Sequence, residues 1–134
     1  MNEPMPSLER LISAARSARE KAHAPFSNFK VGAAIEDENG RIFTGCNVEN
    51  ATYGLTICAE RVAVFKAISE GARKLTRIAV VADTPQLTPP CGACRQILWE
   101  FCPDADLVLA NLSGARETLS IRHIFPRPFD ASFF

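Results

Sequence analysis

The sequence predicts a three-layer α/β/α sandwich around a five-stranded mixed sheet, in a single domain that spans residues 1–134. The chain has 134 residues, near the commonest domain size, and contains no repeat or linker-like segment. Helical and strand-like patterns alternate along it, as is typical of α/β proteins. The last two strand patterns are separated by residues 112–114, which are too few for a parallel crossover, so these strands, if adjacent, are antiparallel.

The first half of the chain predicts a helix and then a β-hairpin. Residues 6–7 open the helix, and residues 23–28 (HAPFSN) end it. Its apolar residues recur at helical spacing: Leu8, Leu11, Ile12, Ala15 and Ala22. Residues 29–35 (FKVGAAI) alternate apolar side chains and predict a half-buried strand. Residues 37–40 (DENG) are a typical hairpin turn, and residues 41–48 predict the returning strand.

The second half predicts two more helices and three more strands. From Ile57 the apolar period becomes helical, and Gly71 is a plausible end of this helix. One stripe of it contains Cys58, Val62, Phe65 and Ser69. Residues 77–82 are almost continuously apolar, which predicts a strand covered on both faces. A proline pair then precedes a third helix over residues 91–101. The last two predicted strands are residues 106–111 and 115–121.

Charge and apolar patterning disfavour several classes of protein. The 15 basic and 15 acidic residues leave a formal net charge of zero, unlike a dedicated nucleic-acid binder. No apolar run is long enough to predict a membrane span, and MNEPMPSLER does not resemble a signal peptide. The predicted location is therefore the cytoplasm, where thiols stay reduced. Five cysteines, an odd number, then indicate a metal or catalysis rather than disulfides.

Three cysteines lie at predicted helix starts and suit a metal site. Cys91 and Cys94 are one helical turn apart, and Cys58 opens the second helix. Helix N-termini carry partial positive charge, which favours thiolates. Three sulfurs suit Zn²⁺. Because the chain offers no convincing fourth ligand, the pattern is typical of catalytic zinc, with water in the fourth position.

Two charged residues beside Cys58 gain a role from such a metal. Zinc acidifies its bound water, and Glu60 can take the proton and later deliver it to a substrate. Three thiolates around Zn²⁺ leave a net negative charge, which Arg61 or Arg95 can offset by donating hydrogen bonds to sulfur. A structural zinc site, which prefers a fourth Cys or His, is one alternative, and simple burial of the cysteines is another.

These motifs resemble those of the zinc-dependent cytidine deaminase superfamily. Its signature, [H/C]-x-E followed by P-C-x-x-C, reads here as CAE at residues 58–60 and PCGAC at residues 90–94. The form with Cys in place of His resembles the small cytidine deaminases, which act on free nucleosides and form homotetramers. The similarity runs from about residue 5 to residue 129 and includes APFSNFKVGAA, GCNVENA and ADTP.

The resemblance implies an activity, a cofactor and an assembly. The implied reaction is hydrolytic deamination of cytidine and 2′-deoxycytidine to uridine and 2′-deoxyuridine plus ammonia, in pyrimidine salvage. One Zn²⁺ per subunit would be bound by the three cysteines named above. Glu60 would be the proton shuttle, and it would serve ring N3 and the amino group in turn. The implied partners are a small nucleoside and three further copies of the chain, with no nucleic acid and no membrane.

The resemblance also implies contacts with the nucleoside. Phe29 would stack against the pyrimidine ring. Asn47 and Glu49 would hydrogen-bond the ribose hydroxyls. Backbone groups near Ala59 would bind the polar edge of the base. Phe129 would be inserted by a neighbouring subunit into the active site.

Three other functions fit parts of the pattern. A deaminase of a nucleoside antibiotic of the blasticidin S type shares the metal motif and GRIFTG, but NFKVGAA and NVEN favour cytidine. An enzyme that edits bases in DNA or RNA is disfavoured by the zero net charge and by Cys58 in place of His. A non-enzymatic zinc module would leave Glu60 without a role.

Overall fold

The first half of the chain folds as a helix followed by a hairpin. A computed structural model describes residues 5–134. Its first elements are helix α1 (Ser7–Arg19) and strands β1 (Val31–Asp37) and β2 (Ile42–Cys46). The helix begins directly after Pro6, as predicted, but it ends at Arg19, so Ala22 lies outside it. Gly40 has a φ of 81° in the hairpin turn, a left-handed backbone that glycine adopts without steric cost.

The second half supplies the remaining helices and strands. In chain order they are α2 (Ala59–Ser69), β3 (Leu75–Ala82), α3 (Gly92–Phe101), β4 (Asp106–Ala110), β5 (Arg116–Ser120) and the short helix α4 (Ile121–Ile124). Each predicted helix and strand is present, with ends shifted by a few residues. Among the described residues, no helix combines the length and the apolar composition needed to cross a membrane.

The strands form one mixed sheet in the order β2-β1-β3-β4-β5. β3 and β4 are parallel, and α3 provides the crossover between them. The other pairs are antiparallel, including β4 with β5 as predicted. One apolar core lies between the sheet and α2, α3 and α4, and a second lies between the sheet and α1. This confirms the predicted α/β/α sandwich.

One prediction about burial was wrong. All seven residues of β1 are buried, although alternation predicted a half-buried strand. The reason is that β1 lies between β2 and β3 with helices on both faces. The buried residues of α2 are Ala59, Glu60, Ala63, Val64 and Ala67. Phe65 of the predicted stripe remains 40% exposed.

Close packing of α2 on β2 fixes the position of the helix start. A Cβ atom added at Gly45 would lie 2.6 Å from the carbonyl oxygen of Ala59 and 2.5 Å from the amide nitrogen of Ala63. Any larger residue at Gly45 would therefore push α2 off the sheet. The first turn of α2 is thus held directly against the hairpin, where the candidate site lies.

Candidate active site

The three predicted cysteines converge in the folded chain. Cys58 immediately precedes α2, and Cys91 immediately precedes α3. Cys94 lies in the first turn of α3 and is fully buried. Their sulfur atoms all lie within 4.8 Å of one another. Two helix N-termini separated by a strand thus bring together sulfurs from distant parts of the sequence.

The sulfur cluster fits a zinc ion in donor chemistry and in electrostatics. Sulfur is a donor that Zn²⁺ favours, and three protein ligands leave a fourth position for water or substrate. The neighbouring Cys94 thiol and then the Arg61 guanidinium lower the pKa of Cys58. The same contact with Cys58, together with burial, raises the pKa of Cys94. Of these two thiols, Cys58 is therefore the one that more readily becomes a thiolate.

Arg61, rather than Arg95, donates to the cluster. Its Nη2 lies 3.3 Å from the Cys58 sulfur. Arg95 instead donates from Nε to the Pro90 carbonyl at 2.8 Å and from Nη1 to the Ile124 carbonyl at 2.9 Å. Arg61 can offset thiolate charge, whereas Arg95 ties the loop before Cys91 to the C-terminal segment.

Glu60 lies beside the cluster and is almost fully buried, with 6% of its surface exposed. Burial is the largest cause that raises its pKa, and the negative charge of Cys58 acts in the same direction. A carboxyl group with a raised pKa binds and releases protons closer to neutral pH than an exposed one does. Glu60 therefore has the setting expected of a group that accepts a proton and returns it.

A cavity of about 260 Å³ joins the cluster to the residues predicted to bind a nucleoside. Two cysteines of the cluster, Cys58 and Cys91, line it together with Glu60. The predicted nucleoside contacts also line it, and they are Phe29, Asn47, Glu49 and Ala59. Further walls come from Thr56, Ile57, Val80, Thr88 and Pro89, which sequence reasoning did not single out. These apolar and small polar residues become visible only once the sheet and the loops are assembled.

Asn47 holds the segment that precedes β1. Its Oδ1 accepts a hydrogen bond from the Val31 amide at 2.9 Å, and its Nδ2 donates to the Phe29 carbonyl at 2.7 Å. The side chain is buried, with 8% of the residue exposed. Asn47 therefore sets the path of the chain on the C-terminal side of Phe29.

Glu49 holds the same segment from its other end. Its Oε1 accepts from the amides of Phe26 and Ser27, each at 3.0 Å, and its Oε2 accepts from the Ser27 hydroxyl. The Ser27 hydroxyl is the largest cause that lowers the pKa of Glu49, and the Ser27 and Phe26 amides add to it. Glu49 is therefore a carboxylate at neutral pH. The sequence prediction did not include Ser27. The pair Ser27-Asn28 could have indicated it, because serine and asparagine favour turns held by side-chain hydrogen bonds.

Comparison with known proteins identifies the family. The model of the cytidine and deoxycytidylate deaminase zinc-binding region matches residues 5–110. The chain belongs to the cytidine deaminase family. Members of this family catalyse the deamination of cytidine, and the matched region is a zinc-binding one. The sulfur cluster supplies ligands that can hold one such ion.

Relatives and solved structures of cytidine deaminases cover most of the chain. The chain is 51% identical over 122 residues to a cytidine deaminase of Halalkalibacterium halodurans, and this alignment covers 90% of this chain and 92% of the relative. It is 47% identical over 123 residues to a cytidine deaminase of Sporosarcina psychrophila, and that alignment covers 91% of this chain and 90% of the relative. A crystal structure of the Burkholderia pseudomallei cytidine deaminase superposes with a TM-score of 0.88 at 49% identity, over 90% of this chain and 98% of that one.

Phe129, which the resemblance to cytidine deaminases assigns to a neighbouring site, lies away from the cavity of its own chain. It is 61% exposed, and its ring stacks on Phe133 with centroids 5.6 Å apart. Its carbonyl accepts from Gln96 at 2.8 Å, and Asp130 accepts from Trp99 at 2.9 Å, so α3 carries this segment. Insertion into a neighbouring subunit stays a prediction.

Proposed function

We propose that the protein converts cytidine and 2′-deoxycytidine, with water, to uridine and 2′-deoxyuridine plus ammonia, as a step of pyrimidine salvage. One observation carries the proposal. A single cavity is lined both by Cys58, Cys91 and Glu60 and by Asn47 and Glu49, and its two cysteines belong to the sulfur cluster. Such a cavity suits a ligand that has both a reactive ring and hydroxyl groups, as a nucleoside does. The sequence identity to cytidine deaminases supports the same substrate class.

Cys58, Cys91 and Cys94 are the proposed ligands of one Zn²⁺ per subunit. A zinc ion held by these residues would lower the pKa of a water molecule and so make it a better nucleophile. The two helix N-termini favour the thiolate forms of these ligands, and Arg61 offsets part of the charge that three thiolates bring. The chain thus provides the donors and a counter-charge next to them.

Glu60 is the proposed catalytic acid and base. It accepts a proton from the attacking water and donates one to ring N3, which makes C4 electrophilic. When the tetrahedral adduct breaks down, Glu60 takes the proton of the new hydroxyl group and delivers it to the amino group, which leaves as ammonia. Because the same carboxylate acts in each step, it must reach the attacking water, ring N3 and the amino group. Its burial beside the cluster supports this assignment, because burial raises the pKa of the carboxyl group and so makes it a better proton acceptor.

The proposed nucleoside contacts orient the ring for these steps. Phe29 stacks on the pyrimidine, Asn47 and Glu49 bind ribose hydroxyls, and the backbone near Ala59 binds the polar edge of the base. Binding energy from the ribose, remote from C4, is then available to hold the ring in a reactive position. The free base lacks the ribose, so the enzyme is expected to prefer the nucleoside.

The proposed assembly is a homotetramer in the cytoplasm. Exposed apolar surface supports association, because Phe129, Phe133 and Phe134 form a three-ring cluster with 61%, 70% and 93% exposure. In the tetramer, Phe129 closes the cavity of a neighbouring subunit. The cytoplasmic location is supported by thiol chemistry, since the three cysteines bind metal only in the reduced form.

A substrate panel tests the proposed function. The loss of cytosine absorbance is followed with cytidine, 2′-deoxycytidine, cytosine, a blasticidin S-type nucleoside, and an oligonucleotide that contains cytosine. We expect turnover of both nucleosides, much weaker turnover of cytosine, and none of the last two. Preference for the antibiotic or for the oligonucleotide would replace the proposal with the corresponding deaminase. A folded, zinc-containing protein that is inactive on the whole panel would instead be a non-enzymatic zinc module.

A further inference from the structure

We propose that Ser27 is a positioning residue, whose hydroxyl links the carboxylate of Glu49 to the backbone amide of Phe29. Through this link, the group that binds ribose also fixes the ring that stacks on the base. The inference rests on the proposed function for the roles of Glu49 and Phe29, but the hydrogen bonds themselves belong to the chain alone. Ser27 is thereby expected to determine how strongly the enzyme binds a nucleoside.

The Ser27 hydroxyl has both a donor and an acceptor role. It donates a hydrogen bond to Oε2 of Glu49 and accepts one from the backbone amide of Phe29 at 3.0 Å. The Ser27 amide meanwhile donates to Oε1 of the same carboxylate at 3.0 Å. Ser27 therefore makes two hydrogen bonds to Glu49, and its hydroxyl also binds the backbone of Phe29. An ionised acceptor makes the first of these bonds stronger than a neutral pair.

Asn28 explains how the chain returns to the serine side chain. Its φ of 56° is a left-handed conformation, which asparagine tolerates better than other non-glycine residues. This bend turns the Phe29 amide back toward the Ser27 oxygen two residues earlier. The pair Ser27-Asn28 is thus the local sequence that builds the link.

Phe29 needs such support because little packing holds it. It precedes β1 and is 40% exposed. Its carbonyl is bound by Asn47 on one side, and its amide is bound by Ser27 on the other. Both restraints come from residues that contact or belong to the proposed ribose site. Ribose recognition and base stacking are therefore built as one unit.

A direct contact between Ser27 and the nucleoside is the competing role, since Ser27 also lines the cavity. The two roles predict different coupling. If the hydroxyl acts through Phe29, removing it matters only while the Phe29 ring is present. If it acts on the ligand directly, the loss is independent of the ring. A double-mutant cycle separates the two cases.

The cycle compares Ser27→Ala, Phe29→Ala and the double variant by kcat/KM for cytidine. In the wild-type background we expect Ser27→Ala to lower kcat/KM about tenfold, chiefly through KM, which corresponds to one hydrogen bond to a charged group. In the Phe29→Ala background the same change should cost less than about twofold. Ser27→Thr keeps the hydroxyl and should restore most of the loss. Ser17→Ala, an exposed serine of α1, is the matched control and should match wild type.

Equal losses from Ser27→Ala in both backgrounds would overturn the proposal, and so would no loss in the wild-type background. A second measurement needs no activity. Amide hydrogen exchange at Phe29, followed by NMR on the intact protein, should be about tenfold faster in Ser27→Ala than in wild type. Unchanged exchange would overturn the link even in a protein that deaminates cytidine. Faster exchange in a protein inactive on cytidine would uphold the link and reject the proposed function.

Discussion

Two parts of the candidate site are built in different ways. The sulfur wall (Cys58, Glu60, Cys91 and Cys94) comes from the starts of two helices, and its side chains interact mainly with one another and with Arg61. The loop wall (Phe29, Asn47 and Glu49) comes from the chain before β1 and after β2, and its polar groups bind backbone amides and carbonyls. Secondary structure fixes the first wall, and hydrogen bonds to loop backbone fix the second.

This difference indicates a division of roles between the walls. A wall of titratable groups with perturbed pKa values is suited to bind a metal and move protons. A wall whose side chains are fixed by hydrogen bonds to the backbone is suited to hold a ligand in one orientation. Changes in the sulfur wall should therefore reduce zinc content or kcat, and changes in the loop wall should alter KM and substrate choice.

The largest effect is expected from Cys94→Ala, which removes a sulfur of the sulfur wall. Zinc should be lost, and with it all measurable deamination of cytidine, because two remaining sulfurs do not form a stable site. Metal analysis and absorbance assays on the same sample check this. Cys102→Ala is the matched control: this cysteine is also buried on the α3 side of the fold, but it lies outside the cluster. The Cys102→Ala variant should keep its zinc, and its free energy of unfolding should fall by about 1 kcal/mol.

Glu60→Gln separates chemistry from metal binding within the sulfur wall. The amide keeps the shape of the side chain but accepts no proton, so kcat should fall by about 10²–10⁴-fold. Zinc content should stay near that of wild type. The exposed Glu70, at the end of the same helix, offers Glu70→Gln as a control with normal kcat. Near-normal turnover in Glu60→Gln would remove Glu60 from the mechanism.

Asn47→Ala tests whether the loop wall acts on the ribose. We expect kcat/KM for cytidine to fall about 100-fold and that for cytosine to fall much less, because cytosine lacks the ribose and is affected only through Phe29, which Asn47 positions. The variant also leaves the Phe29 carbonyl and the Val31 amide without their partner, which should cost about 1–3 kcal/mol of stability. Both substrates are measured on one sample, so their ratio is independent of the folded fraction. Equal losses would argue against a ribose contact.

The smallest effect is expected from Phe129→Ala, which tests whether Phe129 of a neighbouring subunit completes the loop wall. If Phe129 closes the cavity of another subunit, kcat/KM for cytidine should fall about threefold to tenfold and the tetramer should dissociate more readily on dilution. Sedimentation and kinetics at matched concentrations measure both. Phe134→Ala is the control, since this ring is 93% exposed and lies further along the same segment. Unchanged activity in the Phe129 variant would confine the loop wall to one chain.

The sulfur wall was predictable from sequence because its information is local. Spacing along a helix start places Cys91 and Cys94 together, and the CAE motif places Glu60 beside Cys58. The choice between Arg61 and Arg95 was not predictable, because each lies within one helical turn of a cysteine. Tertiary structure decides it, since the Ile124 carbonyl binds Arg95 and leaves Arg61 to donate to sulfur.

The sequence predicted the positions of the strands more reliably than the burial of their residues. Alternation located β1, but it predicted the wrong burial, because two neighbouring strands and helices on both faces cover residues that a lone hairpin would expose. Phe29 was predicted inside that strand and lies before it. The bond between the Ser27 hydroxyl and the Phe29 amide is local, but the bonds of Ser27 to Glu49 join residues 22 positions apart, so no local pattern predicts them.

The most direct test of the central claim is reversible loss of activity with zinc. The purified protein is assayed with cytidine, then stripped with a chelator until metal analysis detects no zinc, and then resupplied with one equivalent of Zn²⁺. We predict uridine and ammonia from the first sample, no turnover from the second, and recovered turnover from the third. Full turnover of cytidine by zinc-free protein would contradict it.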